Sequence, residues 1–214
     1  ACRLFFREDH PFSVIRKERP TPSYLTESYL EDKEFTHYLE MRDLALSLLS
    51  EQDVPMPKRL TQVSESVLGG ASLEKDPRAA LLQKLKPEDP WDTRWGEALK
   101  QLQETLPMMT PEREAIFLMR NEAELEPNFE KLSEYLAFRY FPDAYYLGNP
   151  VYAVNMLRRS IHLLYLFAFS YWWRGEQSSA SDYRLTTEDF MQFCHLFSRE
   201  VEHDDENIAA LRGA

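Results

Sequence analysis

The charged side chains that fall among apolar residues are the part of this sequence that could do chemistry. Arg42 lies between Tyr38 and Ala45 in a stretch with helical apolar spacing. Arg158 and His162 are one helical turn apart at the start of a long apolar run. A charge that leaves water must be paired or hydrogen-bonded, so each side chain predicts a partner group or a ligand. The alternatives are a structural salt bridge for Arg42 and, for His162, a core histidine bonded to a backbone carbonyl.

A second charged group, SREVEH, covers residues 198–203. If this segment is helical, Ser198 and Glu202 are four residues apart, and so are Arg199 and His203, which lets these side chains interact along one edge. The alternative is an exposed ladder of charges at a fraying helix end. Cys194 lies on the apolar stripe of the same helix, and we interpret it as a buried, unreactive thiol.

No standard catalytic motif accompanies these residues. The sequence lacks a glycine-rich phosphate loop, a paired-histidine zinc helix, a Gly-x-Ser-x-Gly elbow and a Cys-x-x-Cys pair. Cys2 and Cys194 are too few for a disulfide framework or a cysteine-ligated cluster, so we predict neither a metal site nor an iron–sulfur cluster in this chain. The net charge of −11 opposes phosphate binding and argues against a nucleic-acid partner.

Residues 151–174, VYAVNMLRRSIHLLYLFAFSYWWR, form the element around which we expect the fold to be organised. From Ile161 to Trp173 almost every residue is apolar or aromatic, which predicts a helix that is buried on all sides. The uninterrupted part is shorter than the ~20 residues needed to cross a bilayer, so we predict neither a membrane span nor a membrane partner. Without a secretory signal among the first residues, a cytoplasmic location is the default.

Capping residues predict further helices around this element. Thr21-Pro22, Asp76-Pro77 and Thr110-Pro111 each pair an N-cap with a proline at the first helical position, and Gly69-Gly70 indicates a helix stop. Thr186 and Asp189 predict a capping box. A helix with Trp95, Leu99, Leu102 and Leu106 on one face is expected as well. The other expected helices cover residues 22–30, 33–51, 57–68, 77–85, 111–121, 128–140 and 187–203.

The predicted fold is all-α, a compact multi-helix domain around the central helix, because two-residue alternation is nowhere sustained. We expect a helical N-terminal part with an irregular lead at 1–85. A polar, proline-containing linker is expected at 86–93, a C-terminal helical core at 94–203 and a loose tail at 204–214.

Three segments of the chain resemble the bacterial flagellin lysine-N-methylases. FTHYLEMRDLALSLLSEQDVPMPKRLTQVSESV, residues 35–67, is similar to the middle of that family, where an Arg in the helix precedes a Pro-Leu-x-x-Arg-Leu-like element, here PMPKRL. FEKLSEYLAFRYFPDAYY, residues 129–146, resembles its Tyr-Leu then Phe-Pro helix end. FCHLFSREVEH, residues 193–203, resembles its Ser-Arg-x-Ile-Glu-His terminus, with Val201 in place of Ile. The matching positions are Arg42, Arg59, Tyr135, Ser198, Arg199, Glu202 and His203.

The resemblance implies transfer of a methyl group from S-adenosylmethionine to lysine side chains of a protein, which is flagellin in that family. A lysine ammonium cannot attack a sulfonium until it loses a proton, so Glu202 or His203 is the expected base. Arg42, Arg158 or Arg199 would pair with the carboxylate of the cofactor.

Tyr135 and His162 are the residues that we expect to bind the substrate.

Members of the family carry a cysteine-rich N-terminal region, which has no counterpart in the given sequence. The chain is therefore expected to be either a part of a longer protein or a divergent member. The alternative function is a non-catalytic, all-helical module that binds a protein partner or serves as a complex subunit.

Overall fold

The computed structural model describes residues 33–51, 53–70, 78–86, 93–178 and 182–213. Within these ranges the regular elements are helices and none is a strand, which confirms the all-α class. The predicted helix at 22–30 and residues 87–92 of the predicted linker lie outside the described residues. The helices are α1 (Lys33–Leu49), α2 (Met56–Val67), α3 (Arg78–Lys84), α4 (Arg94–Thr105), α5 (Pro111–Leu147), α6 (Pro150–Ser178), α7 (Thr187–Glu200) and α8 (Asp205–Arg212), with a 3-10 turn at Leu106–Met108 after α4.

Helix α6 is the predicted central helix, and it is buried on all sides. None of its residues from 150 to 173 is exposed, and Leu163, Leu164 and Ala168 are completely inaccessible to solvent. The apolar run therefore forms part of the core, as its composition predicts. No helix in the described ranges is both long enough and apolar enough to cross a membrane.

Helix α5 corrects the prediction of two separate helices at 111–121 and 128–140. It begins at Pro111 as predicted but continues without a break to Leu147, with Pro127 and Pro142 inside it. An interior proline loses one backbone hydrogen bond and costs a helix about 3 kcal/mol, which is why the sequence suggested a boundary. Burial of apolar side chains such as Phe129 and Phe141 offsets this cost, and local propensity is overridden.

Helix α7 has the predicted capping box. The Thr186 hydroxyl oxygen accepts a hydrogen bond from the Asp189 backbone N–H at 3.2 Å, and the Thr186 backbone N–H donates to the Asp189 carboxylate at 2.8 Å. The helix ends at Glu200 rather than at His203, and residues 201–203 form a turn. The residues after α7 therefore leave the helical face on which the sequence placed them.

The segment predicted as a loose tail, 204–214, instead contains α8. The Asp204 side chain caps this helix by accepting a hydrogen bond from the Asn207 backbone N–H at 2.8 Å. Leu211 is fully buried, and Arg159 Nη1 donates to the backbone carbonyl oxygens of Ala210 and Leu211 at 3.2 and 3.1 Å. A buried leucine and a cation on the terminal carbonyls secure this short helix.

The chain forms two compact units, Ala1–Ser72 with Phe129–Leu157, and Leu73–Asn128 with Arg158–Ala214. Helices α5 and α6 each contribute residues to both units. The division predicted from the sequence, with boundaries at 86–93 and 203, stays a prediction.

The first unit is built on a fully buried arginine, Arg59 of α2. Its Nη1 donates to the backbone carbonyl oxygen of Leu49 at 2.9 Å, its Nε donates to that of Val54, and Nη1 lies 3.4 Å from Glu130 Oε2. Leu49 is the last residue of α1, where backbone carbonyls lack helical partners. Arg59 therefore joins the end of α1, the following loop and α5.

The second unit is packed around aromatic side chains of α6. Trp172 lies 5.4 Å from Phe117 of α5 between ring centroids, Phe117 lies 5.5 Å from Phe169, and Phe167 lies 5.8 Å from Trp95 of α4. Tilted and edge-on aromatic pairs of this kind add to the area that they bury. This cluster fixes α4 against α6, and these two helices together with α7 line the cleft described next.

Candidate functional site

A cleft of about 650 Å³ in the second unit is lined by one face each of α4, α6 and α7. Residues three or four apart on a helix share a face, and each of the three sets follows this spacing. Buried Ala98 and Leu196 form the floor, whereas most of the other lining residues are exposed. The lining residues are Arg94, Glu97, Ala98, Gln101, Tyr171, Arg174, Glu188, Met191, Gln192, His195 and Leu196.

Cations and anions are both present at the rim of the cleft. Arg94 and Arg174 supply guanidinium groups, and Glu97 and Glu188 supply carboxylates. Arg174 Nη1 donates a hydrogen bond to the side-chain oxygen of Gln101, which links α6 to α4 across the cleft. This mixture of charges suits a ligand that carries an anionic and a cationic end, because guanidinium groups bind carboxylates well.

Tyr171 provides an aromatic surface in the cleft. Its ring packs edge-on against Phe193, with 5.6 Å between centroids, so it is held in place from behind. Burial raises the pKa of the Tyr171 phenol above its ordinary value, with Asp189 adding to the rise and Arg174 opposing it. The phenol therefore stays protonated at neutral pH and can act as a hydrogen-bond donor.

The predicted catalytic and cofactor residues Arg199, Glu202 and His203 lie at the end of α7 and in the turn after it. Arg199 comes four residues after His195, so it lies on the same face of α7, one turn beyond the cleft. Its Nε is 3.0 Å from the Glu200 carboxylate. Glu202 and His203 lie in the turn after α7. Glu202 is only 5% exposed, whereas His203 is exposed.

The alternative for residues 198–203 was an exposed ladder of charges. The carboxylates of this segment do not agree with it, because they are buried. Glu200 and Glu202 are 7% and 5% exposed. The predicted four-residue spacing of Arg199 and His203 also needed a helix through residue 203, and α7 ends at Glu200. Asn207 of α8 holds the end of α7, since its Nδ2 donates to the Glu200 backbone carbonyl at 2.9 Å.

Arg158 and His162 lie one turn apart on α6, as the sequence predicted, and both are half-buried. Asn155, one turn earlier, is buried. The cleft lining named above does not include these residues. Their predicted roles in cofactor and substrate binding therefore stay predictions.

Arg42 and Tyr135, the remaining predicted residues, belong to the first unit. Arg42 Nη2 is 2.7 Å from Asp43 Oδ1, and its guanidinium lies 5.2 Å from the centroid of the Phe138 ring. Arg42 therefore has a carboxylate partner, and the predicted roles of Arg42 in cofactor binding and of Tyr135 in substrate binding stay predictions. The Tyr135 hydroxyl accepts a hydrogen bond from Arg139 Nη1 at 3.0 Å.

Cys194 was interpreted from the sequence as a buried, unreactive thiol. Burial, and to a smaller extent the Glu202 carboxylate, raise the pKa of the Cys194 thiol to about 12. The thiolate is the reactive form, so the raised pKa makes this thiol unreactive at neutral pH, although Cys194 is half-buried rather than fully buried. Among the residues that the structure describes, no group of three or more His, Cys, Asp or Glu side chains is arranged to hold a metal ion.

Sequence reasoning missed the cleft itself. The available signal was the helical spacing of Arg94, Glu97 and Gln101, and of Glu188, Gln192 and His195, which gives each helix a polar face. Such a face is ordinarily solvated surface, and only the packing of α4 and α7 on α6 turns the two faces toward a common space.

Comparison with known proteins assigns no family to this chain: no family model matches it, and neither does a curated protein or a solved structure.

Proposed function

We propose that this chain transfers methyl groups from S-adenosylmethionine to lysine side chains of a protein substrate, and that the cleft between α4, α6 and α7 holds the cofactor. The observation that carries the proposal is the pair Arg94 and Arg174 at the cleft. Helix α7, which lines the same cleft, carries Arg199 and is followed by Glu202 and His203. The resemblance of three segments to flagellin lysine-N-methylases supports it and suggests flagellin as substrate. The same resemblance underlies a proposed bacterial source, and the cytoplasmic location stays the default expected from the sequence.

The cleft residues fit the chemical groups of the cofactor. Its carboxylate suits Arg94 and Arg174 together, because paired N–H donors match a carboxylate. Its ammonium and sulfonium charges suit Glu97 and Glu188, and its adenine suits the face of Tyr171. The volume of about 650 Å³ falls in the ~300–1,000 Å³ range of small-molecule sites.

In this proposal the cofactor supplies an electrophilic methyl group, and the chain positions it and takes up a proton. When bound, the cofactor would supply a methyl group that passes to the lysine Nζ lone pair, with the electron pair of the broken carbon–sulfur bond left on sulfur. The lysine must first lose its ammonium proton, for which Glu202 or His203 is the acceptor. Arg199, on the cleft face of α7, would orient the cofactor carboxylate or the substrate.

Cofactor binding is tested by calorimetric titration of the chain with S-adenosylmethionine and S-adenosylhomocysteine. We expect saturable binding that Arg94→Gln and Arg174→Gln each weaken by about 10-fold or more, since hydrogen bonds to charged groups contribute about 1.5–3 kcal/mol. Arg184→Gln, an exposed cation outside the cleft, is the matched control and should bind as the wild type does.

Absence of binding at millimolar ligand would refute the cofactor site, and the alternative of a non-catalytic interaction module would then lead. The base assignment is tested separately with flagellin as the acceptor. Full turnover by both Glu202→Gln and His203→Ala variants would remove it.

A further inference from the structure

The N-terminal part of α5 exposes a strip of apolar side chains to solvent. Ile116, Leu118 and Met119 are 40%, 43% and 73% exposed, and Ala115 and Ala123 are also exposed. Positions 115, 116, 119 and 123 fall on one side of a helix, with 118 at the edge. We call these five residues the α5 strip.

The side chains that flank the α5 strip on the same helix are acidic. Glu112 and Glu122 are exposed at its two ends. The two arginines of this part of α5 turn toward other helices. Arg113 lies 4.5 Å from the centroid of the Trp173 ring, and Arg120 Nη1 is 2.9 Å from Glu176 Oε2. The exposed charges beside the α5 strip on this helix are therefore both negative.

Exposure of large apolar residues side by side is characteristic of contact surfaces. An exposed methionine adds flexibility, and such surfaces accept partners by repacking. A helix that packs on an apolar surface is anchored by residues at i, i+3, i+4 and i+7, and its flanking charges determine which partners fit. Carboxylates at Glu112 and Glu122 select for lysine or arginine beside those anchors, and the net charge of −11 draws a cationic partner in from a distance.

We propose that the α5 strip is a docking surface for a basic amphipathic helix of a partner protein. The strip shares no residue with the lining of the cleft. The proposal therefore does not depend on cofactor binding and applies equally to an enzyme that recruits its substrate and to a non-catalytic module.

The test uses a synthetic helical peptide made of leucine and lysine at amphipathic spacing, labelled with fluorescein, and measures its binding to the full chain by anisotropy. A peptide with glutamate in place of each lysine is the charge control. We expect saturable binding of the lysine peptide and at least tenfold weaker binding of the glutamate peptide, because the strip repels the latter.

Two sets of variants locate the binding site. Ile116→Ser with Met119→Ser removes the apolar anchors, and Glu112→Gln with Glu122→Gln removes the flanking charges. Each pair is expected to weaken binding about tenfold or more. Both apolar positions are exposed, so the fold should tolerate these changes.

The matched control is Asp53→Asn with Glu65→Gln, which changes the net charge by the same amount at exposed positions of the first unit. It should leave binding within about twofold. Equal loss in this control would show attraction by net charge alone and overturn the proposal. Self-association of the chain that Met119→Ser abolishes would also overturn it, since the occupant would then be a second copy.

Discussion

Arg59 allows a prediction whose size follows from its contacts. Replacement by Met keeps much of the volume of the side chain but removes its charge and its N–H donors. The backbone carbonyls of Leu49 and Val54 then lose the partner that reaches them inside the first unit. The Glu130 carboxylate, whose side chain is 20% exposed, loses its cation at 3.4 Å.

The expected loss is a large fraction of the stability of a domain. An unsatisfied buried acceptor costs about 1–3 kcal/mol, and removal of one partner of a buried ion pair costs about 3–5 kcal/mol. These terms overlap, so Arg59→Met should lower the free energy of unfolding by about 3–5 kcal/mol. Natural domains have a total of about 5–15 kcal/mol. Arg59→Lys keeps the charge but cannot present the same fork of donors, so we expect an intermediate loss.

Urea denaturation followed by far-UV circular dichroism measures this loss by linear extrapolation. The matched control is Arg42→Met, which breaks the contact with Asp43, a residue whose side chain is 64% exposed. An exposed pair of this kind contributes about 0–1 kcal/mol. If Arg59→Met costs no more than Arg42→Met, the reasoning about the buried guanidinium is refuted.

Three further predictions concern the second unit. Gly175→Ala should lower the melting temperature although Ala favours helix, because a Cβ at this position would overlap the Tyr183 ring. In a Tyr183→Ala background the same change should stabilise the protein. In a Cys2→Ser chain, native Cys194 should react with a disulfide reagent far more slowly at pH 8 than in urea, since its pKa of about 12 leaves little thiolate; equal rates would contradict this. Thr186→Ala should cost about 1 kcal/mol in urea denaturation through loss of the α7 cap, whereas Thr186→Ser should cost much less, and equal losses would exclude the cap as the cause.

The elements with strong local signals were predictable from the sequence. The apolar run of α6, the capping box of α7 and the helix stop at Gly69-Gly70 need only residues close in sequence. Gly69 and Gly70 have φ values of +63° and +85°, a conformation that glycine adopts without strain. These features were confirmed because local physics alone determines them.

The features that escaped prediction depend on distant residues. Pro127 and Pro142 suggested helix boundaries, but packing of α5 overrides them. The polar composition of 204–214 suggested a loose tail, yet Arg159 of α6 and buried Leu211 hold α8 in place. The cleft exists only because three helices meet, and no single segment encodes it. For Arg59 the resemblance indicated importance, but its contacts with two carbonyls could not be foreseen.

The interleaving of the two units has a consequence for synthesis of the chain. The first unit combines Ala1–Ser72 with Phe129–Leu157, so its N-terminal segment leaves the ribosome well before the rest of its core exists. At about 5–20 residues per second, the missing part follows on the order of ten seconds later. During that interval the apolar faces of α1 and α2 have no α5 to pack against. The nascent chain is then exposed to aggregation.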